Sequence, residues 1–222
     1  MNPYQQQVAV GTRSTTEANK LIRNTYTLLA MTLLFSAATA GASIKFNWPY
    51  PGVLITLVGY FGLLFLTYKL KDSAWGLLSI FGLTGFMGLT LGPIVGQYLH
   101  LPNGTHIVMT AMGGTGAIFL GLSAYALTSR KDFSFLGGFL MAGILVAFLA
   151  GLAAIFFHMP ALSLGVAAMF ALLMCGMILF ETSQLVNGGE TNYILATISL
   201  YVSIYNLFLS LLQLIGAFNS ED

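Results

Sequence analysis

The sequence predicts an all-α polytopic membrane protein of seven transmembrane helices, and three observations carry that prediction. Of 222 residues, 57% are hydrophobic and only 7% charged, against roughly 25% charge in an average soluble domain. Seven apolar stretches of spanning length are separated by short polar, glycine- or proline-containing breaks. The lysines and arginines also fall almost entirely on one side of the membrane those stretches imply. A net charge of +1, with no dense basic run, suits no nucleic acid. The single cysteine, Cys175, lies inside an apolar run. It excludes a disulfide framework and a cysteine metal site, and reads as a small core residue.

Residues 1–24 read as a flexible cytoplasmic tail, because Gln5, Gln6, Gln7, Ser14, Thr15 and Thr16 offer little apolar surface to bury. Residues 25–218 form the membrane domain. Its first span is Thr25 to Ile44. Ala38-Thr39-Ala40 imitates a signal-peptidase site, but the long polar lead, the spanning length and the spans that follow make it an uncleaved anchor. Pro51 to Tyr68 is the second span and Ala74 to Leu99 the third, with Gly92-Pro93 expected to kink or end it. The fourth is Thr105 to Thr128, the fifth Phe133 to Phe157, and the sixth Pro160 to Val186, with Pro160 suited to a first turn. Asn187-Gly188-Gly189 turns the chain into the seventh, Asn192 to Ala217, and residues 219–222 are a short outer tail.

Arg13, Lys20, Arg23, Lys69, Lys71, Arg130 and Lys131 share one side, and only Lys45 the other. That asymmetry places the amino terminus in the cytoplasm and the short Asn219 to Asp222 tail outside. Small residues one turn apart, at Gly88 and Gly92, Gly92 and Gly96, Gly138 and Ala142, and Ala147 and Gly151, allow helices to approach closely. Packing within one bundle is favoured over a dimer face.

In the seventh span Asn192, Ala196, Ser199, Ser203, Asn206, Ser210, Gln213 and Ala217 recur at steps of four and three. They line one helix face for about 37 Å. A continuous polar seam is costly against lipid, so this helix belongs inside the bundle or along a wet path through it. The only acid placed within a span is Glu181, near the end of the sixth. A carboxyl at that depth finds donors or keeps its proton. Joined by a tight turn, the last two helices are antiparallel neighbours, which brings Glu181 near Ser199, with Ser203 and Asn206 deeper. One reading is a proton- or cation-sensing group on that seam. The other is a carboxylate that snorkels to the interface and secures local packing.

His100, His106 and His158 fall in two outer loops without a metal spacing and read as solvated. Asn103-Gly104-Thr105 is a glycosylation sequon that matters only in a secretory compartment. Gly121-Leu122-Ser123-Ala124 imitates a serine nucleophile, but no histidine lies within a span to serve as its base. No cofactor or metal site is expected.

Three longer motifs carry a resemblance. Leu179-Phe180-Glu181-Thr182-Ser183-Gln184, Asn192-Tyr193-Ile194 and Leu200 to Phe208 resemble the signature of the Bax inhibitor-1 family, supported by Tyr26 to Leu29 and Ser134 to Gly138. Arg23 to Tyr26, Thr128 to Asp132 and Gly188 to Tyr193 are most similar to its bacterial inner-membrane branch. The resemblance implies seven helices, the last central and wrapped by six. It implies modulation of a membrane-anchored ATP-dependent protease of the FtsH type and its associated membrane complex. Many members also carry an aspartate on each of the last two helices, a pH-sensitive pair that gates a calcium leak. Here those positions hold Glu181 and Ser203.

Two functions follow. The chain is expected to be a non-enzymatic regulator that binds the protease as a slowly extracted substrate or competitor, with Arg13, Glu17, Lys20 and Arg23 on the tail that serves as handle. The alternative is a pH-sensitive leak for calcium or protons through the seam.

Overall fold

The computed structural model describes residues 15–219. Seven α-helices follow one another: α1 (Thr15–Lys45), α2 (Val53–Leu70), α3 (Ala74–Leu99), α4 (Gly104–Ser129), α5 (Gly137–Phe156), α6 (Pro160–Asn187) and α7 (Tyr193–Phe218). A 3-10 turn, Ser134–Leu136, leads into α5. All seven are long and apolar enough to cross a membrane. In a bilayer every backbone donor and acceptor must be paired within the segment, which helices achieve.

Helix α1 differs from expectation. It begins at Thr15 rather than Thr25, so the tail reading ends there; residues 1–14, Arg13 included, and residues 220–222 lie outside the described residues. Glu17, Lys20 and Arg23 instead occupy exposed positions on the first turns of α1. Leu21 and Thr25, one turn apart on the face turned to the bundle, are buried. One apolar stripe suffices to dock these turns on the core shared by Leu185 and Ile194, which the polar average of the segment conceals.

Helices α3 and α7 are the two most deeply buried. α7 packs on α6, α4, α1 and α3, so it is central, while α2 leans on α3 and α5 on α6. The tightest contact joins α1 to α3. A Cβ on Gly88 would overlap the Thr39 hydroxyl and the Ser36 carbonyl, and one on Gly92 would overlap Ser43 and the Ala40 carbonyl. The glycines bring two backbones into contact. Gly96 and Gly138, equally suited by spacing, face open space.

Pro93 does not end α3, which continues to Leu99. Proline has no N–H for the carbonyl one turn back, at Leu89. The Ser43 hydroxyl donates to that carbonyl at 2.9 Å, replacing the missing bond across the α1–α3 contact.

The alternation of helices puts the start of α1 and the α2–α3, α4–α5 and α6–α7 connections at one end of the bundle. Lys20, Arg23, Lys69, Lys71, Arg130 and Lys131 gather there, and Lys45 stands at the far end.

Candidate functional site

The site is built on the last two turns of α6. Leu185 and Ile178 are fully packed on one side of these turns, which fixes the helix and turns Glu181 inward. Glu181 is 8% exposed, and its Oε2 accepts a hydrogen bond from Ser203 Oγ of α7 at 3.0 Å.

Of the four residues the sequence assigns to a sensing seam, the structure joins only Glu181 and Ser203. The partner is Ser203 rather than the nearer-counted Ser199 because helical side chains lean toward the amino end of their own helix. Glu181 on α6 therefore reaches deeper, and Ser203 on antiparallel α7 reaches back to meet it. Ser199 is exposed. It lines an open cleft of about 640 Å³ with Phe61, Phe65, Tyr68 and Glu190, because α2 stands off from this end of α7. Asn206 turns its Nδ2 to its own helix, donating to the Val202 carbonyl at 2.9 Å. The seam is a row of separate contacts, with Gln213 donating to Ser163 of α6 at 2.6 Å further along.

Around the carboxyl, hydroxyls tie helices together. Thr182 Oγ1, fully buried, lies 3.4 Å from the Tyr26 hydroxyl of α1 and 3.5 Å from Ser123 Oγ of α4. Ser123 is thus a packing hydroxyl, while His100, His106 and His158 all lie at the far end. Ser183 Oγ donates to the Lys131 carbonyl and accepts from the Phe133 amide, each at 3.0 Å. Asn187 Nδ2 donates to Ser183 Oγ at 3.1 Å, and Gln184 Nε2 to Ser134 Oγ at 2.9 Å. These bonds hold the α4–α5 connection to α6. Within that connection Asp132 accepts from the Ser134 hydroxyl at 2.5 Å and its amide at 2.8 Å, which holds its carboxyl below the ordinary aspartate value. Asn192 caps α7, accepting from the Ile194 amide at 2.9 Å and the Leu195 amide at 3.2 Å. Its Nδ2 donates to Asp72 at 2.9 Å and to the Lys71 carbonyl at 3.2 Å, fastening the α2–α3 connection as well.

A second polar group on α7 escapes the sequence reading. The Tyr201 hydroxyl lies 2.7 Å from Ser36 Oγ of α1 and donates to the Thr84 carbonyl of α3 at 3.4 Å. Tyr201 is 1% exposed and stacks on Tyr205, ring centroids 6.1 Å apart. The signal was present in the sequence: two tyrosines four apart share a helix face. Their bulk hid them among the apolar residues.

The arrangement can hold or release one proton at Glu181 and gather helices around it. Among the described residues no three of His, Cys, Asp and Glu converge as a metal site.

Comparison with known proteins agrees with this architecture. The family model described as "Inhibitor of apoptosis-promoting Bax1" matches residues 18–220. An uncharacterised protein of Pseudomonas aeruginosa is 51% identical over 222 residues, covering all of both chains. A protein of Escherichia coli K12 named Modulator of FtsH protease YccA is 54% identical over 204 residues, 92% of each chain. An uncharacterised membrane protein of Vibrio cholerae is 44% identical over 209 residues, 94% of each chain.

Proposed function

We propose that this chain, which belongs to the Bax inhibitor-1 family, is an integral membrane regulator of a membrane-anchored ATP-dependent protease of the FtsH type. The observation that carries this reading is the 54% identity, over 92% of both chains, to a protein named for modulating that protease. The membrane is the bacterial inner membrane, and the cation-rich end faces the cytoplasm, where positive loops are retained.

The mechanism needs no reaction at this chain. The protease grips the residues ahead of α1 and pulls. Behind that grip, α1 is locked to α3 through Gly88 and Gly92, and α7 is joined by hydrogen bonds to α1, α3 and α6. A body tied in this way is extracted slowly, and a protease so occupied turns over other membrane substrates less often. Affinity capture from native membranes is expected to recover the protease and its membrane complex. Removing residues 2–14, which leaves α1 intact, is expected to lengthen the protein's lifetime after synthesis is stopped. Capture without the protease would sink the partnership, and equal protease-dependent decay of both forms would sink the handle.

One observation favours a second reading. Glu181 is an almost fully buried carboxyl with a single hydroxyl donor from α7, an arrangement suited to coupling a proton to the α6–α7 contact and so to a cation leak. Purified protein in liposomes would then pass protons or calcium in a pH-dependent manner, and Glu181→Gln would abolish the pH dependence. Tight liposomes, or identical pH responses of the two proteins, would remove this reading.

A further inference from the structure

Helices α1 and α4 flank a lateral crevice of about 430 Å³ in the far half of the bundle, floored by α3 and α7. Its existence follows from the sequence: Ala37 and Gly41 on α1, and Gly116 on α4, are too small to close the gap between the helices. Gly41 and Gly116 have nothing within reach of a Cβ.

The lining decides the chemistry of the occupant. No charged side chain faces the crevice. Three of the four hydroxyls in its wall are already engaged: Ser36 and Tyr201 with each other at 2.7 Å, and Thr115 with the Ala111 carbonyl at 2.7 Å. Water needs two to four polar partners to stay in a cavity, and this wall is almost wholly apolar. A vacuum forfeits dispersion contacts along its whole wall. A transmembrane helix, about 10 Å across, does not fit so narrow a slot, and the slot is far short of the ~800 Å² per partner that a stable protein interface buries. Hydrocarbon chain fits on every count.

Charge supplies the other half of the ligand. The crevice runs along α1 to Ile44, and the next residue is exposed Lys45, the one lysine or arginine at that end among the described residues. Trp48 and Tyr50 follow, both exposed, at the depth where aromatic residues meet headgroups. We propose that this crevice is a phospholipid site: one acyl chain lies between α1 and α4, and the headgroup phosphate meets the Lys45 ammonium.

The test uses the full chain reconstituted in vesicles of phosphatidylethanolamine and phosphatidylglycerol, a small fraction carrying a diazirine on one acyl chain. After illumination, adducts are mapped by peptide mass spectrometry. Adducts are expected on Ala37, Gly41 and Met112 severalfold above those on Met141, Leu145 and Leu149 of α5, which are exposed to bulk lipid. Gly116→Leu fills the slot and should abolish that excess while leaving α5 labelling as in the parent. Lys45→Glu should reduce it severalfold. Uniform labelling of both faces in the parent protein overturns the proposal without recourse to any variant. An excess that survives Gly116→Leu also overturns it, as does a polypeptide trapped at Ala37 in native membranes in place of lipid.

Discussion

Helices α3 and α5 show what a bilayer rewards. α5 is the more apolar of the two, yet it stands at the edge of the bundle with Phe139, Met141, Leu145 and Leu149 facing outward. α3 carries threonines, a serine, a proline and a run of glycines, and it is among the most buried helices. In water that order would be reversed. In lipid, apolar surface gains nothing by leaving the solvent, so helices associate through close backbone approach and shared hydrogen bonds. α5 carries glycines and alanines too, so the difference teaches that burial in this chain follows hydroxyls and those glycines that meet another helix's backbone.

The sharpest way to break the comparison is to place one substitution in both helices. Gly88→Leu in α3 meets the backbone of α1, which cannot step aside, and is expected to cost at least about 3 kcal/mol or to prevent assembly. Gly138→Leu in α5 meets open space and should leave the unfolding midpoint in mixed micelles almost unmoved. Equal losses would show that the two helices are not packed by different rules.

Next in size is the buried carboxyl. Ser203→Ala leaves Glu181 without its donor and should cost about 1–3 kcal/mol. Ser199→Ala, one turn away in the open cleft, should be neutral in the same assay. A smaller effect tests the proline. Ser43→Ala frees the Leu89 carbonyl and should cost about 1 kcal/mol, whereas in a Pro93→Ala background, where the backbone amide is restored, it should cost little. Additive losses in that cycle would refute the proposed exchange of donors.

The smallest expected effect is at the entrance to α5. Because Ser134 holds the Asp132 carboxyl below its ordinary value, its contribution is present at neutral pH and is lost as pH falls through that lowered value. Amide exchange in residues 130–136, taken relative to the intrinsic rate at each pH, should therefore quicken only in acid, below the ordinary aspartate range. Ser134→Ala should quicken it at neutral pH as well. A change beginning near neutrality in the parent protein would assign the effect to another group.

Much of this was legible in the residues. Spans two to seven begin and end within two residues of their expected limits, except that α5 starts four residues late behind its 3-10 turn, because glycine, proline and polar clusters interrupt the apolar runs sharply. The Glu181–Ser203 neighbourhood could be counted across a tight turn, although the lean of helical side chains moved the contact one turn deeper. Three features resisted. The amphipathic start of α1 looked like tail, because its polar face outnumbers Leu21 and its neighbours. The exposure of Ser199 depends on how far α2 stands off, a tertiary distance. The Tyr201–Ser36 bond joins positions 165 residues apart, beyond the reach of any local pattern.

The placement of α7 has a consequence for how the protein is made. It follows the other six in sequence and so leaves the ribosome after them, yet it supplies Ser203 to Glu181 and Tyr201 to Ser36. Until it arrives, six inserted helices present an unmatched carboxyl and an unmatched hydroxyl to the groove where it belongs. The polar groups that fasten the finished bundle therefore mark the unfinished one. A nascent chain stopped short of Tyr193 carries a visible flag of incompletion inside the membrane, and the closing helix erases it.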